Sequence, residues 1–281
     1  MAQPTLTPHI TPNARVDEIE RGWRLSIPAG NANEYRNAQL DDYARLSRRR
    51  FPHRFPLRLS LLARTSSDSI PGTWGFGLWN DPFGLSLGFG GNPFRMPALP
   101  NAVWFFGASK ENYLSFKDFR PERSEERKLR RTQSKDASTT GFATNAQPSA
   151  QRGVANGFMA QTFRSPTFHP LLILAGIAFP FSRKMTRRML GSIIGEDGVA
   201  VSVDNTEWHR YSLTWGEKRV SLEVDNVEVF ESAVSPNPPL GLVIWIDNQY
   251  ASFTPDGKIG FGVLANPEPA FLEIRELEIG D

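Results

Sequence analysis

Apolar residues at every second position, interrupted by turn-forming pairs, constrain this chain more than anything else in it. Tyr211, Leu213 and Trp215 alternate with other residues up to Gly216-Glu217-Lys218; Val220, Leu222 and Val224 alternate after it; and Asp225-Asn226 leads into Val227 and Val229. A strand turns successive side chains to opposite faces, so this spacing predicts antiparallel strands with one face buried, joined by hairpin turns. Leu57, Leu59, Leu61 and Ala63 repeat the pattern, as do Trp74, Phe76 and Leu78 with Gly75 and Gly77 between them, and Leu272, Ile274, Leu277 and Ile279 near the end. Ala102 to Phe106 is apolar throughout, as for a strand covered on both sides. Leu240 to Ile246 follows the turn signal Pro236-Asn237-Pro238-Pro239. Many short strands with Pro- and Gly-rich connections favour an all-β, antiparallel β-sandwich over any α/β arrangement. Sandwiches of this length often stay undivided, so residues 1–281 are read as a single domain.

One region breaks the pattern. Residues 111–197 are read as an insertion made of a polar loop and an apolar/basic helical lid. From Lys117 to Arg152 the chain is charged (Arg123, Glu125, Glu126, Arg127, Lys128, Arg130, Arg131) and then rich in Gln and Ser, as for a solvated helix followed by a loop. Within 166–190 the apolar run Leu171 to Phe181 leads into Arg183, Lys184, Arg187 and Arg188. That segment reads as a lid, as a peripheral membrane contact through 171–188, or as a helix packing its apolar side on the sandwich with its arginines in water. The longest apolar run, Pro170 to Phe181, would span roughly 18 Å as a helix against a hydrocarbon core of ~30 Å, so it is not expected to cross a bilayer.

Composition removes several classes of function. With 32 Lys and Arg against 30 Asp and Glu, a net charge of +2 exerts no chain-wide pull on nucleic acid. The absence of cysteine excludes disulfides, thiolate nucleophiles and cysteine-held metals. His9, His53, His169 and His209 show no metal-ligand spacing. Met1 to Arg15 is rich in Pro and Thr without an apolar segment, so no secretory signal is read there and a cytoplasmic location is expected.

The segment Trp208 to Trp215, with Val220 to Val224, Asp225-Asn226 and Val227 to Phe230, resembles the hairpin that follows the catalytic strand in family-16 glycoside hydrolases. Leu57 to Arg64 resembles the strand before the substrate cleft, and Gly72 to Trp79 the glycine-tryptophan strand beside it. The resemblance implies a concanavalin A-like jelly roll with a ligand groove on its concave face. Retaining members carry a nucleophile and an acid/base about 5 to 5.5 Å apart, on one strand written Glu-x-Asp-x-Glu or Glu-x-Asp-x-x-Glu. The best counterpart here, Asn101 to Gly107, holds no carboxylate, so the family's hydrolysis is not expected from it. Glu223-Val224-Asp225-Asn226-Val227-Glu228 fits the longer form literally, but a turn at Asp225-Asn226 would put the two glutamates on different strands. The family often holds a structural calcium; Asp17, Glu18, Glu20 and Asp281 near the two ends show no ligand spacing for one, and no cofactor is expected.

Parity selects the groove residues. If Leu242, Ile244 and Ile246 face the core, then Trp245 and Asp247 face the other way, with Asn248, Gln249 and Tyr250 following. Trp79 and Asp81 share parity across from them, with Asn80 between, and Trp104 lies on the neighbouring strand. Phe83, Phe89, Phe94, Phe105 and Phe106 would add apolar surface. Such residues stack on flat apolar faces and hydrogen-bond hydroxyls; equally, Trp79 and Trp245 could be core and Asp81 a turn cap. The expected function is a non-hydrolytic, lectin-like protein binding a sugar or a small hydroxylated or apolar ligand, with Trp79, Asn80, Trp104, Trp245, Asn248, Gln249 and Tyr250 as contacts. The alternative is a cyclase, isomerase or lyase using Asp81 or Asp247 as acid/base on a hydrophobic small molecule.

Overall fold

The computed structural model describes residues 4–82, 98–116, 156–166 and 182–280. Two seven-stranded sheets, antiparallel throughout, form a sandwich. Sheet I holds, in spatial order, β1 (Thr7–Ile10), β4 (Asn37–Asp41), β13 (Gly241–Asp247), β6 (Thr73–Trp79), β7 (Ala102–Ala108), β8 (Gly157–Arg164) and β9 (Gly195–Ala200). Sheet II holds β12 (Val227–Ser232), β11 (Val220–Val224), β10 (His209–Trp215), β5 (Leu57–Thr65), β16 (Ala270–Gly280), β3 (Gly22–Ile27) and β2 (Arg15–Ile19). A separate hairpin pairs β14 (Gln249–Phe253) with β15 (Ile259–Val263), and the described residues include one α-helix, α1 (Arg183–Ile193), and a 3-10 turn at Arg48–Arg50.

The alternating rows fill the space between the sheets. Leu57, Leu59, Leu61 and Ala63 from β5 and Tyr211, Leu213 and Trp215 from β10 meet Trp74, Phe76 and Leu78 from β6 and Leu242, Ile244 and Ile246 from β13 in one buried cluster. Burial of these apolar side chains is the main favourable term of such a fold. Asp225 and Asn226 both take positive φ, 51° and 66°, as the tight hairpin turn between β11 and β12 requires. Glu223 and Glu228 stand directly opposite each other on those two strands, so the literal catalytic pattern lies folded across a hairpin.

Two readings of the expected insertion need correction. Gly157–Arg164, inside 111–197, is not loop: β8 pairs along its whole length with β7 and with β9. It escapes an alternation test because Phe158 to Phe163 is buried on both faces, which erases the polar beat. The basic helix does exist at α1, capped by the Ser182 hydroxyl accepting from the Met185 amide at 3.3 Å. Arg187, however, is buried rather than solvated. Its guanidinium donates to the carbonyls of Phe253 (2.8 Å), Phe116 (3.0 Å) and Ser115 (2.7 Å), tying α1 to β14 and to the chain after β7. A planar group with five donors in a fixed fork suits such cross-linking of several carbonyls. The charged stretch from Lys117 to Arg152 and the apolar run Leu171 to Phe181 lie outside the described residues, as do Gly84 to Phe94. Among described helices none is long and apolar enough to cross a membrane.

Candidate functional site

The pleat gives sheet I a second, outward-facing set of residues. Across the strands these form rows: Gln39, Trp245, Gly75, Phe106 and Met159; Asp41, Val243, Gly77, Trp104, Gln161 and Gly198; Gly241, Trp79, Ala102, Phe163 and Glu196; and Asn37, Asp247, Thr73 and Ala108. Most of these apolar members, with Tyr43, Phe51 and Ile194, make a second buried cluster that the sandwich core does not reach. Trp79, Trp104 and Trp245 meet there. Trp79 lies parallel to Trp245 at a ring separation of 6.1 Å and 4°, and Trp104 is 6.0 and 5.8 Å from the two. Leu46, Leu99, Leu114, Phe116 and Leu190 pack around them. Phe106 joins the cluster, whereas Phe105, one residue out of phase, points into the sandwich core, correcting its assignment to the groove.

Two glycines on β6 make this approach possible. A Cβ at Gly75 would stand 2.9 Å from the Trp245 ring, and one at Gly77 would stand 2.6 Å from the Trp104 Cα and Cβ. A side chain at Gly75 would press on the Trp245 ring and the Phe105 carbonyl, and one at Gly77 on the β7 backbone at Val103 and Trp104.

Each indole N–H is engaged inside the protein. Trp245 Nε1 donates to the Thr73 hydroxyl (3.0 Å), which donates to Asp247 (2.8 Å). Trp104 Nε1 donates to Gln161 (3.4 Å), whose amide donates to Glu196 (3.3 Å). Trp79 Nε1 donates to the Tyr43 hydroxyl (2.6 Å), next to Gln39, whose amide donates to Asp41 (2.9 Å). The edges are therefore fixed, and the rings pack against one another and against Phe106. Trp79 is half-buried, while Trp104 and Trp245 are 6% and 7% exposed.

The carboxylates of this face sit in an apolar setting. Burial pushes the Asp247 carboxyl up to about 7, against hydrogen bonds from Thr73, the Gln249 amide and Tyr35. Burial, then the charge and hydrogen bond of Asp247, push the Tyr35 hydroxyl well above the ordinary tyrosine range. Burial also raises Asp41, opposed by the Gln39 amide and by His9, whose Nε2 is 3.3 Å from it. Glu196, buried on β9, further accepts from the Phe116 amide at 2.7 Å.

The other expected residues fall elsewhere. Asn80 braces a loop, donating to the Leu99 carbonyl (2.9 Å) and accepting from the Asn101 amide (3.0 Å). Asp81 lies beyond the end of β6 with φ at 47°, so strand parity no longer aims it beside Trp79, and its carbonyl accepts from Arg48 (3.1 Å). Asn248 is wholly buried with its amide committed to three backbone groups: the Arg36 N–H and the carbonyls of Glu34 and Leu264. Gln249 and Tyr250 belong to the β14–β15 hairpin, where the Tyr250 ring lies over Gly260 and Gly262. Phe83, Phe89 and Phe94 lie outside the described residues. His209 is a hairpin surface residue, its Nδ1 2.6 Å from Asp225. Asp17 and Glu18 are on β2 at the far edge of sheet II; Asp281 lies outside the described residues. Among the described residues no three His, Cys, Asp or Glu come together as a metal site would need.

Sequence reasoning missed Tyr35, Gln39, Asp41, Tyr43, Thr73, Gln161 and Glu196. Parity within β6, β8 and β9 would have found Thr73, Gln161 and Glu196 once those strands were set in register.

No family model matches this chain, and no curated protein does. Solved structures similar to it include family-16 glucanases, a sialidase and the binding domain of a botulinum neurotoxin. A glycoside hydrolase family 16 endo-glucanase from Bacteroides ovatus aligns over 100% of this chain and 96% of its own, at 10% identity and a TM-score of 0.45. LamAcat from Zobellia galactanivorans aligns over 96% and 80%, at 12% and 0.44. Likenesses this distant bear on no residue of the site.

Proposed function

We propose that this chain is a non-hydrolytic, lectin-like binding protein. Its ligand, a sugar or another small molecule with hydroxyls and an apolar face, would lie on the outward face of sheet I, entering against Trp79 with Trp104 and Trp245 behind it. The observation that carries this reading is the grouping of three tryptophans whose N–H edges are all engaged internally, so that stacking is what they have to offer. The spacing of the acids supports the absence of hydrolysis. Asp41 on β4 and Glu196 on β9 are five strand steps apart, about 24 Å at roughly 4.8 Å each. Asp247 pairs with Asn37, four residues from Asp41, or about 13 Å along the strand. Glycosidic cleavage by two carboxyls needs about 5 to 9.5 Å.

Titration calorimetry against β-glucan and galactan oligosaccharides tests the proposal. At least one should give saturable heat without being cut, and Trp79→Ala and Trp245→Ala should each weaken it by roughly tenfold or more. No heat with any of them, or binding unchanged in both variants, would overturn it. The raised Asp247, hydrogen-bonded to Tyr35, favours a second reading in which it exchanges a proton with a bound hydrophobic small molecule. Full turnover of a found substrate by Asp247→Asn would end that reading.

A further inference from the structure

The outward face of sheet II repeats one device, a glutamate held between two arginines. Glu273 on β16 accepts from Arg24 Nε on one oxygen and from Arg64 Nε on the other, each at 2.7 Å. Glu276, at the bulge in the same strand, does so with Arg21 at 2.9 Å and with Arg210. Both oxygens of both carboxylates are thereby occupied. Arg275 lies between the two glutamates in the chain and makes no hydrogen bond or ion pair with any described residue. Four arginines share two carboxylates, and a fifth has none.

Arg275 is nevertheless held in place. It stands opposite Gly22 on β3 and Leu62 on β5, and a Cβ at Gly22 would come within 2.8 Å of its Cα. Its guanidinium carbon is 4.6 Å from the centre of the Trp208 ring, which Arg64 also approaches, at 4.9 Å. Nε is shut off from water without a partner, so this half-buried side chain meets solvent with its Nη1 and Nη2 end. Leaving a charged donor unmet costs stability, which nothing inside the fold offsets here. Asp17 and Glu278, the next acids on this face, stand opposite Arg24 and Ser60 rather than beside Arg275. Arg210 shares its cross-strand row, with Leu62 between them.

We propose that Arg275 anchors a second binding site, where a carboxylate from a sugar acid takes the place that Glu273 and Glu276 fill for the neighbouring arginines. The Nη1 and Nη2 pair donates side by side to the two carboxylate oxygens, and Arg64 and Arg210 add positive charge around them. The carboxylate follows from the two internal examples; that a sugar carries it rests on the lectin-like reading of this chain.

Calorimetric titration of the whole chain at low salt, with the galacturonate trisaccharide and with the neutral galactose trisaccharide, tests this. The acidic sugar should bind saturably, and Arg275→Gln should weaken it roughly tenfold. Arg275→Lys, which keeps the charge but loses the fork, should not restore full affinity. Arg58→Gln changes an arginine of the same face that already pairs with Glu223 at 3.7 Å, and should leave binding as it was. Trp79→Ala should leave this acid-dependent binding intact while abolishing whatever the neutral sugar shows, so the two sites stand or fall separately. No binding of the galacturonate sugar, unchanged binding in Arg275→Gln, full affinity in Arg275→Lys, or an equal loss in Arg58→Gln would each overturn the proposal.

Discussion

The two sheets share one core and differ in what they turn outward. Sheet I turns Trp79, Trp104, Phe106, Phe163 and Trp245 to that side, and its carboxylates Asp247 and Glu196 accept from Thr73 and Gln161. Sheet II presents arginines and glutamates in rows. Arg24 and Arg64 both donate to Glu273 at 2.7 Å, Arg21 pairs with Glu276 at 2.9 Å and Arg210 bonds the same carboxylate, while Arg64 and Arg275 stand over the Trp208 ring at 4.9 and 4.6 Å. A bulge in β16 at Glu276, φ 51°, turns that carboxylate toward its partners while Leu277 stays in the core. The sheet II face is what a solvated antiparallel sheet needs. Sheet I's outward face carries a second apolar cluster, itself buried, where sheet II carries charge.

The difference should first show in stability. Trp104→Ala removes a 6% exposed indole from the centre of the outward cluster and orphans the Gln161 carbonyl. Denaturant unfolding should register a loss of about 3 to 5 kcal/mol. A loss below about 1 kcal/mol would mean that this face is packed loosely, and the two faces would then differ in composition but not in energetic weight.

The faces should also respond oppositely to pH. Asp247 has a folded value near 7, above its ordinary one, so the folded protein binds the extra proton. The stability linked to it is complete below about pH 4 and is lost as pH rises toward 7. Glu273 is the reverse: burial works against its charge, but hydrogen bonds from Arg64 and Arg24 hold it below the usual carboxylate range. Its contribution is present above about pH 4.5 and is lost as pH falls through its lowered value. Asp247→Asn should flatten the fall between pH 4 and 8, on the order of 2 kcal/mol. Glu273→Gln should cost about 2 kcal/mol at pH 7 and progressively less as pH falls through the lowered value of Glu273. Urea midpoints of both variants across that range would check this; parallel pH profiles in the two would erase the contrast.

How far each face could be read from the sequence follows from the same physics. Where one side of a strand is wet, as in β5, β10 and β11, the period of two is visible, and the hairpin turn at Asp225-Asn226 announces itself. Apolar residues on both sides leave no beat. Ala102 to Phe106 could still be recognised by its unbroken run, but Gly157–Arg164, with Gln161 and Thr162 in its middle, passed as part of an insertion. Parity placed Trp245 and Asp247 correctly because β13 is regular, and failed for Asp81 because the strand ends at Trp79. The relays could not be read at all. Trp245 meets Thr73 across 172 positions and Trp104 meets Gln161 across 57, so only the register of sheet I brings them together. Only one of the three readings of 166–190 puts its arginines in water; for Arg187 three backbone carbonyls offset the cost of burying the charge.

The smallest effect probes whether sheet II's outward charges matter as ion pairs or only as polarity. Arg219, just before β11, and Glu231 on β12 approach to 3.2 Å with side chains 70% and 45% exposed, whereas the Glu273 side chain is only 4% exposed. Water screens the exposed pair and both long side chains lose freedom in forming it, so Arg219→Ala should change stability by no more than about 0.5 kcal/mol. Adding salt should leave even that difference near zero. A loss approaching that of Glu273→Gln would mean that exposure does not govern these pairs, and that the outward face of sheet II is held together as one network rather than by its few half-buried carboxylates.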